Sequence, residues 1–149
     1  METVRQTQVN IPAPSRWGIH ATVGSRPVVY GTLIINSVTD NRITGTINFR
    51  GRPIPVNGSW NPGSRQIQFD TPYATYSGNL EIFDDPSIRV RHLLVRGRLR
   101  MKPPSSQAGE YGTWVASTET ALTGPPVSTH GLPPVGAFLT SEILYGTPE

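Results

Sequence analysis

A glycine, a polar residue and a large apolar residue follow one another six times in this chain. The copies are Gly31-Thr32-Leu33, Gly45-Thr46-Ile47, Gly58-Ser59-Trp60, Gly78-Asn79-Leu80, Gly97-Arg98-Leu99 and Gly112-Thr113-Trp114. Each sits in a run that alternates apolar and polar residues, as a strand with one buried face does. Glycine weakens a strand interior, so its recurrence there needs a structural reason. Curvature supplies one, because a small closed sheet needs places where strands bend or approach closely. The repeat predicts an all-β chain folded as an antiparallel up-and-down barrel of about eight strands.

The strand pattern runs almost unbroken from Ser15 to Thr120. Trp17, Ile19, Ala21 and Val23 share one face of a first strand. Val28 to Asn36 is a second, apolar on both faces. Ile43, Gly45, Ile47 and Phe49 mark a third, and Ile54, Val56, Gly58 and Trp60 a fourth. Pro53 and Pro55 lie on the opposite parity of that fourth strand, which suits an edge or a bulge better than a central ladder. Ile67 and Phe69 begin a short fifth strand, and Tyr76, Gly78, Leu80 and Ile82 face one way in a sixth. In the seventh segment the apolar parity changes between Val90 and Leu93, and a one-residue slip flips every side chain. That predicts a bulge near Arg91-His92. Gly112, Trp114, Ala116 and Thr118 form one face of an eighth strand. Residues 1–14 read as an N-terminal arm, 15–123 as the barrel domain and 124–149 as a Pro/Gly-rich tail. The tail holds Phe138-Leu139 and Ile143-Leu144-Tyr145, apolar enough to dock on the barrel or on a neighbouring subunit.

A chain of 149 residues can bury a core without a metal or disulfide. Cysteine is absent, which excludes a disulfide framework, a thiolate metal site and a cysteine nucleophile. No run approaches the ~20 apolar residues of a membrane span. No apolar stretch follows the charges of Met1 to Gln6, so no signal peptide is expected and the compartment defaults to cytoplasmic.

Ile43-Thr44-Gly45-Thr46-Ile47, Tyr76-Ser77-Gly78-Asn79-Leu80 and Thr113-Trp114-Val115-Ala116-Ser117-Thr118 are similar to strand motifs of the avidin-like barrels. Trp17, in the first strand, resembles in placement the tryptophan that plugs one barrel end in the wider calycin group. The resemblance covers residues 15 to 120 and implies an avidin- or lipocalin-like barrel. The biotin donors do not carry over. Where avidin-like proteins set an Asn and a Ser beside the first-strand tryptophan, this chain has Gly18, Ile19 and His20, so no useful biotin affinity is expected.

Fold does not give activity, which has to be argued from sites. Trp17, Phe49, Trp60, Tyr76 and Trp114 fall on the inner parity. They are core residues or, where they line a barrel mouth, a candidate pocket for a small apolar ligand. Arg96, Arg98 and Arg100 share the outer face of the seventh strand. This concentrated basic stripe suits an anion or an acidic partner, unless neighbouring acids such as Glu81 or Glu119 balance it. Aromatic residues are not interleaved with it, which disfavours nucleic acid. His20, His92 and His130 lie on distant segments, with no pair at metal-ligand spacing on one element. No nucleophile elbow, phosphate loop or zinc motif is present.

The expectation is a non-enzymatic binding barrel without a cofactor, taking an apolar ligand in its mouth, self-associating as a homo-oligomer, or both. The alternative is an interaction module with a filled barrel that uses its surface and tail. A barrel enzyme of isomerase or cyclase type, acting on an apolar substrate, is third.

Overall fold

The structure is a computed structural model, and it describes residues 10–49 and 51–125. Eight strands follow in chain order: β1 Ser15–Val23, β2 Val29–Thr39, β3 Arg42–Asn48, β4 Ile54–Asn61, β5 Gln66–Asp70, β6 Ala74–Asp85, β7 Val90–Met101 and β8 Tyr111–Ala121. Each pairs antiparallel with the next, and β8 closes back on β1. The chain is therefore an all-β, up-and-down antiparallel barrel. The expected docking of the C-terminal tail lies outside the described residues.

One face of every strand fills the interior. Trp17, Ile19, Leu33, Ile35, Ile43, Ile47, Val56, Trp60, Phe69, Leu93 and Trp114 are all almost fully buried. Side chains this large crowd a narrow barrel, and the glycines make room. Gly97 of β7 pairs with Gly78 of β6 on one side and with Trp114 of β8 on the other. A Cβ on Gly97 would overlap the Ser77 carbonyl oxygen, and one on Gly78 would lie 2.9 Å from the Trp114 ring. The indole of Trp114 lies across this gap, and its Nε1 donates to the carbonyls of Ser77 at 3.1 Å and Arg98 at 3.0 Å. An aromatic ring covering strand glycines restores the packing that the missing side chains forfeit.

The register departs from the sequence expectation in β7. Val90 to Met101 pairs residue by residue with β6, and Val90 to Arg100 does so with β8. No bulge lies near Arg91-His92. The parity change arises because Ile88 sits exposed in the turn, while Leu94 faces outward and packs against Phe83 and Val115. The irregularity in the described sheet occurs instead in β2, between Ile35 and Ser37. It explains how β2 runs on to Thr39, past the expected end at Asn36.

Pro53 and Pro55 also find their reason. The β4–β5 ladder begins only at Asn57↔Asp70, because β5 is five residues long. Pro55 pairs with Thr46 on its β3 side and has no β5 residue opposite it. The missing N–H therefore leaves no ladder bond unmade.

Apart from the outward Phe83–Leu94 contact and Val90, the polarity runs apolar inside and mostly polar outside over β4 to β7. That is the reverse of an outer-membrane barrel, which turns its apolar band to lipid. Among the described residues no helix is long and apolar enough to cross a membrane.

Candidate functional site

The two ends of the barrel differ. At the end where β1 starts, the segment before β1 contributes Ile11 to the same hydrophobic core as Trp17 and Trp60. Trp17 Nε1 donates to Ser15 Oγ at 2.8 Å. Asp84, the penultimate residue of β6, and Arg91, the second of β7, form a two-point ion pair at the same end. Arg91 Nε lies 2.7 Å from Asp84 Oδ1, and Nη2 lies 3.1 Å from Oδ2. The Asp84 side chain has 0% exposure and that of Arg91 15%. A buried carboxylate needs such a partner, and removing one side of the pair is strongly destabilising. This end is sealed.

The opposite end is open. The turns after β1, β3, β5 and β7 surround a cavity of about 670 Å³. Val23, Val29, Phe49, Ile54, Leu99 and Met101 give it apolar walls, and Tyr76 lines its base. Tyr76 stacks on Phe69 at 4.6 Å and meets Trp114 edge-on at 5.6 Å, so an aromatic layer separates mouth from core. Burial pushes the Tyr76 phenol up to about 12, so it keeps its proton well into alkali. Polar groups gather at the rim: Thr71, Ser105, Ser106, Gln107 and Arg26.

The rim is held by its own hydrogen bonds. Thr71 Oγ1 accepts from the backbone N–H groups of Tyr73 and Ala74, each at 3.1 Å. Lys102 N–H donates to Tyr73 O at 2.9 Å, which ties the loop after β7 to the turn after β5. Arg26 pairs with Glu110 at 3.0 Å across the rim. The shortness of β5 sets the outline of the mouth: where β5 has ended, Ile54 of β4 and the Thr71–Ala74 turn face the opening directly.

Of the five aromatic residues singled out in the sequence, Phe49 and Tyr76 line this cavity. Trp17, Trp60 and Trp114 are packed in the core below it, 1%, 2% and 1% exposed. Parity places a side chain inside a barrel but does not give its height along the axis. The remaining wall residues carry a simple sequence signal: Val23, Val29, Ile54 and Met101 are each the inner-parity residue nearest a strand end, and Leu99 is the next one in from Met101.

The arginine stripe resolves into three situations. Arg96 makes a two-point pair with Glu81, at 3.3 and 3.0 Å. Arg100 lies over the Tyr111 ring at 5.8 Å. Arg98 borders a polar depression on the outer wall. Asp84-Asp85-Pro86 reads from sequence as turn chemistry. Asp85 does hold the turn, accepting from Ser87 N–H and Oγ. Asp84 instead anchors Arg91, a role that residue type alone did not reveal.

Among the described residues no group of three or more His, Asp or Glu side chains could hold a metal ion. The fold and the mouth define a class: a small, eight-stranded antiparallel barrel sealed at one end and open at the other. No protein-family model matches the chain, and no curated protein or solved structure is significantly similar to it.

Proposed function

We propose that the protein is a non-enzymatic binding barrel whose open mouth takes a small, largely apolar molecule. The observation that carries this reading is the contrast between the ends. The sealed end spends its space on packed tryptophans and a buried ion pair, whereas the mouth keeps about 670 Å³ of apolar-walled space above an aromatic floor. That volume falls within the range of small-molecule sites, which are apolar with a few polar groups to fix orientation. The Tyr76 hydroxyl is one such group and the rim around Thr71 and Gln107 supplies others. The avidin-like resemblance supports the same reading, with Trp17 standing at the sealed end. Biotin is not the expected occupant, since Gly18, Ile19 and His20 follow that tryptophan.

Titration with Nile red, an environment-sensitive apolar dye, tests the mouth. Enhanced, saturable fluorescence is expected from the native protein. Met101→Trp, which narrows the cavity from its wall, should weaken the dye roughly tenfold or more, given the worth of a few buried methylenes. Equal dye binding by this variant, with the fold intact by circular dichroism, would place the ligand elsewhere.

Self-association is a second reading, favoured by Val28 and Tyr30, which stay exposed on the β1–β2 side. Tyr30 lies against the His20 ring at 5.8 Å there. Sedimentation at tens of micromolar should show a dimer or larger species, and Tyr30→Glu should return it to monomer. A native monomer removes this reading.

A further inference from the structure

The outer wall of β4 to β7 carries a second depression, of about 700 Å³, which among the described residues shares no lining residue with the mouth. Gly78 and Gly97, paired across β6 and β7, lie in its floor and carry no side chain to fill it. Behind them Trp114 Nε1 donates to the carbonyls of Ser77 and Arg98.

The outward side chains over this hollow are arranged in rows across the strands. Ser59 lies opposite Gln68, Gln68 opposite Ser77, and Ser77 opposite Arg98. Two residues along, Asn61, Gln66 and Asn79 form a second row, which ends at Arg96. Neighbouring strands are about 4.8 Å apart, so each row offers one polar group per ~4.8 Å. That spacing is close to the length of one pyranose unit in an extended chain.

The chemistry of the rows is selective. Asn, Gln and Ser side chains both donate and accept, which suits sugar hydroxyls, themselves both donors and acceptors. Among the described residues the lining includes no acid, and Arg98 is its one charged side chain. Arg96 is already neutralised by Glu81, and Arg100 is engaged with Tyr111. Arg98 forms no side-chain hydrogen bond or ion pair among the described residues, so its planar fork remains available to a carboxylate.

We propose that this hollow binds an extended acidic polysaccharide, with Arg98 holding a uronate carboxylate and the two polar rows holding ring hydroxyls. The chain of sugars runs across the strands, one ring to each. This site is independent of the mouth.

Calorimetry with tetramers of β-1,4-linked glucuronate and β-1,4-linked glucose tests it on the full chain. The glucuronate tetramer should bind, with the glucose tetramer roughly tenfold weaker or more, the value of one charge-assisted hydrogen bond. Arg98→Gln should abolish that preference. Gln68→Ala should weaken both tetramers, and Met101→Trp in the mouth should change neither. Circular dichroism confirms that these variants fold. Absence of binding by either tetramer at millimolar concentration overturns the proposal, as does an unchanged preference in Arg98→Gln. Equal binding of a single-stranded oligonucleotide also overturns it, because it would reduce the hollow to a general anion attractor.

Discussion

The sealed end and the open mouth are built from the same alternating strands, yet they spend their inner positions differently. At the sealed end the inner positions go to two tryptophans, Ile11 and a buried Asp84–Arg91 pair. At the mouth the last inner residues are mid-sized, Val23, Val29, Leu99 and Met101, and a turn replaces the end of β5. The barrel is thus stabilised from one end and left available at the other. A site is affordable where the core beneath it already carries the stability.

The comparison is broken most directly by large truncations. Trp60→Ala should cost about 3–5 kcal/mol by urea denaturation, as for other buried aromatic residues. A loss below ~1 kcal/mol would mean that the sealed end does not carry the fold. Ile11→Ala should cost about 2–3 kcal/mol, although Ile11 precedes the first strand. A neutral result would show that the barrel seals without its leading segment.

Alkali probes the layer between the two regions. The Tyr76 phenol is raised by burial to about 12 in the folded chain and has its ordinary value of 10 when unfolded. Below pH 10 both states hold the proton and Tyr76 has no effect on stability. Between pH 10 and 12 the unfolded state loses its proton first, so stability falls, by about 2–3 kcal/mol in all. Tyr76→Phe should flatten that part of the stability profile. An unchanged slope would remove Tyr76 from the aromatic floor.

The smallest effect separates two tryptophans of one end. Trp60 Nε1 is buried and has no hydrogen-bond partner among the described residues, whereas Trp17 Nε1 is bonded to Ser15. Trp17→Phe loses that bond, while Trp60→Phe relieves an unpaired donor. Trp60→Phe should therefore be the milder change by about 1 kcal/mol. The reverse order would point to a partner for the Trp60 indole.

How much of this was legible in the sequence follows from what period two can encode. Alternation around Gly45, Gly78 and Gly112 specifies strands and their inner faces, and eight such runs joined by turns specify an up-and-down barrel. Height along the barrel axis is not encoded by parity. It depends on register, which is why Trp114 and Tyr76 looked equivalent although only Tyr76 reaches the mouth. The misplaced bulge has a similar cause. Val90 and Leu94 share a parity opposite to Leu93, but an outward apolar residue such as Leu94 can be buried against Phe83 without any change of register. Pairings across the sheet were invisible for the same reason. Composition offers Glu81 as one of two acids that could balance the stripe, but which arginine it meets depends on the β6–β7 register.

The early end of β5 has a consequence for the protein at high concentration. A closed barrel protects itself from sheet extension because it has no free edge. Where β5 stops, the first residues of β4 regain one, beside the mouth. An intruding strand would need amide donors there, and Pro53 and Pro55 withhold them. The two prolines thus cap the stretch of edge that the short β5 leaves uncovered, and Pro55→Thr should raise the rate of aggregation at high concentration, read by light scattering.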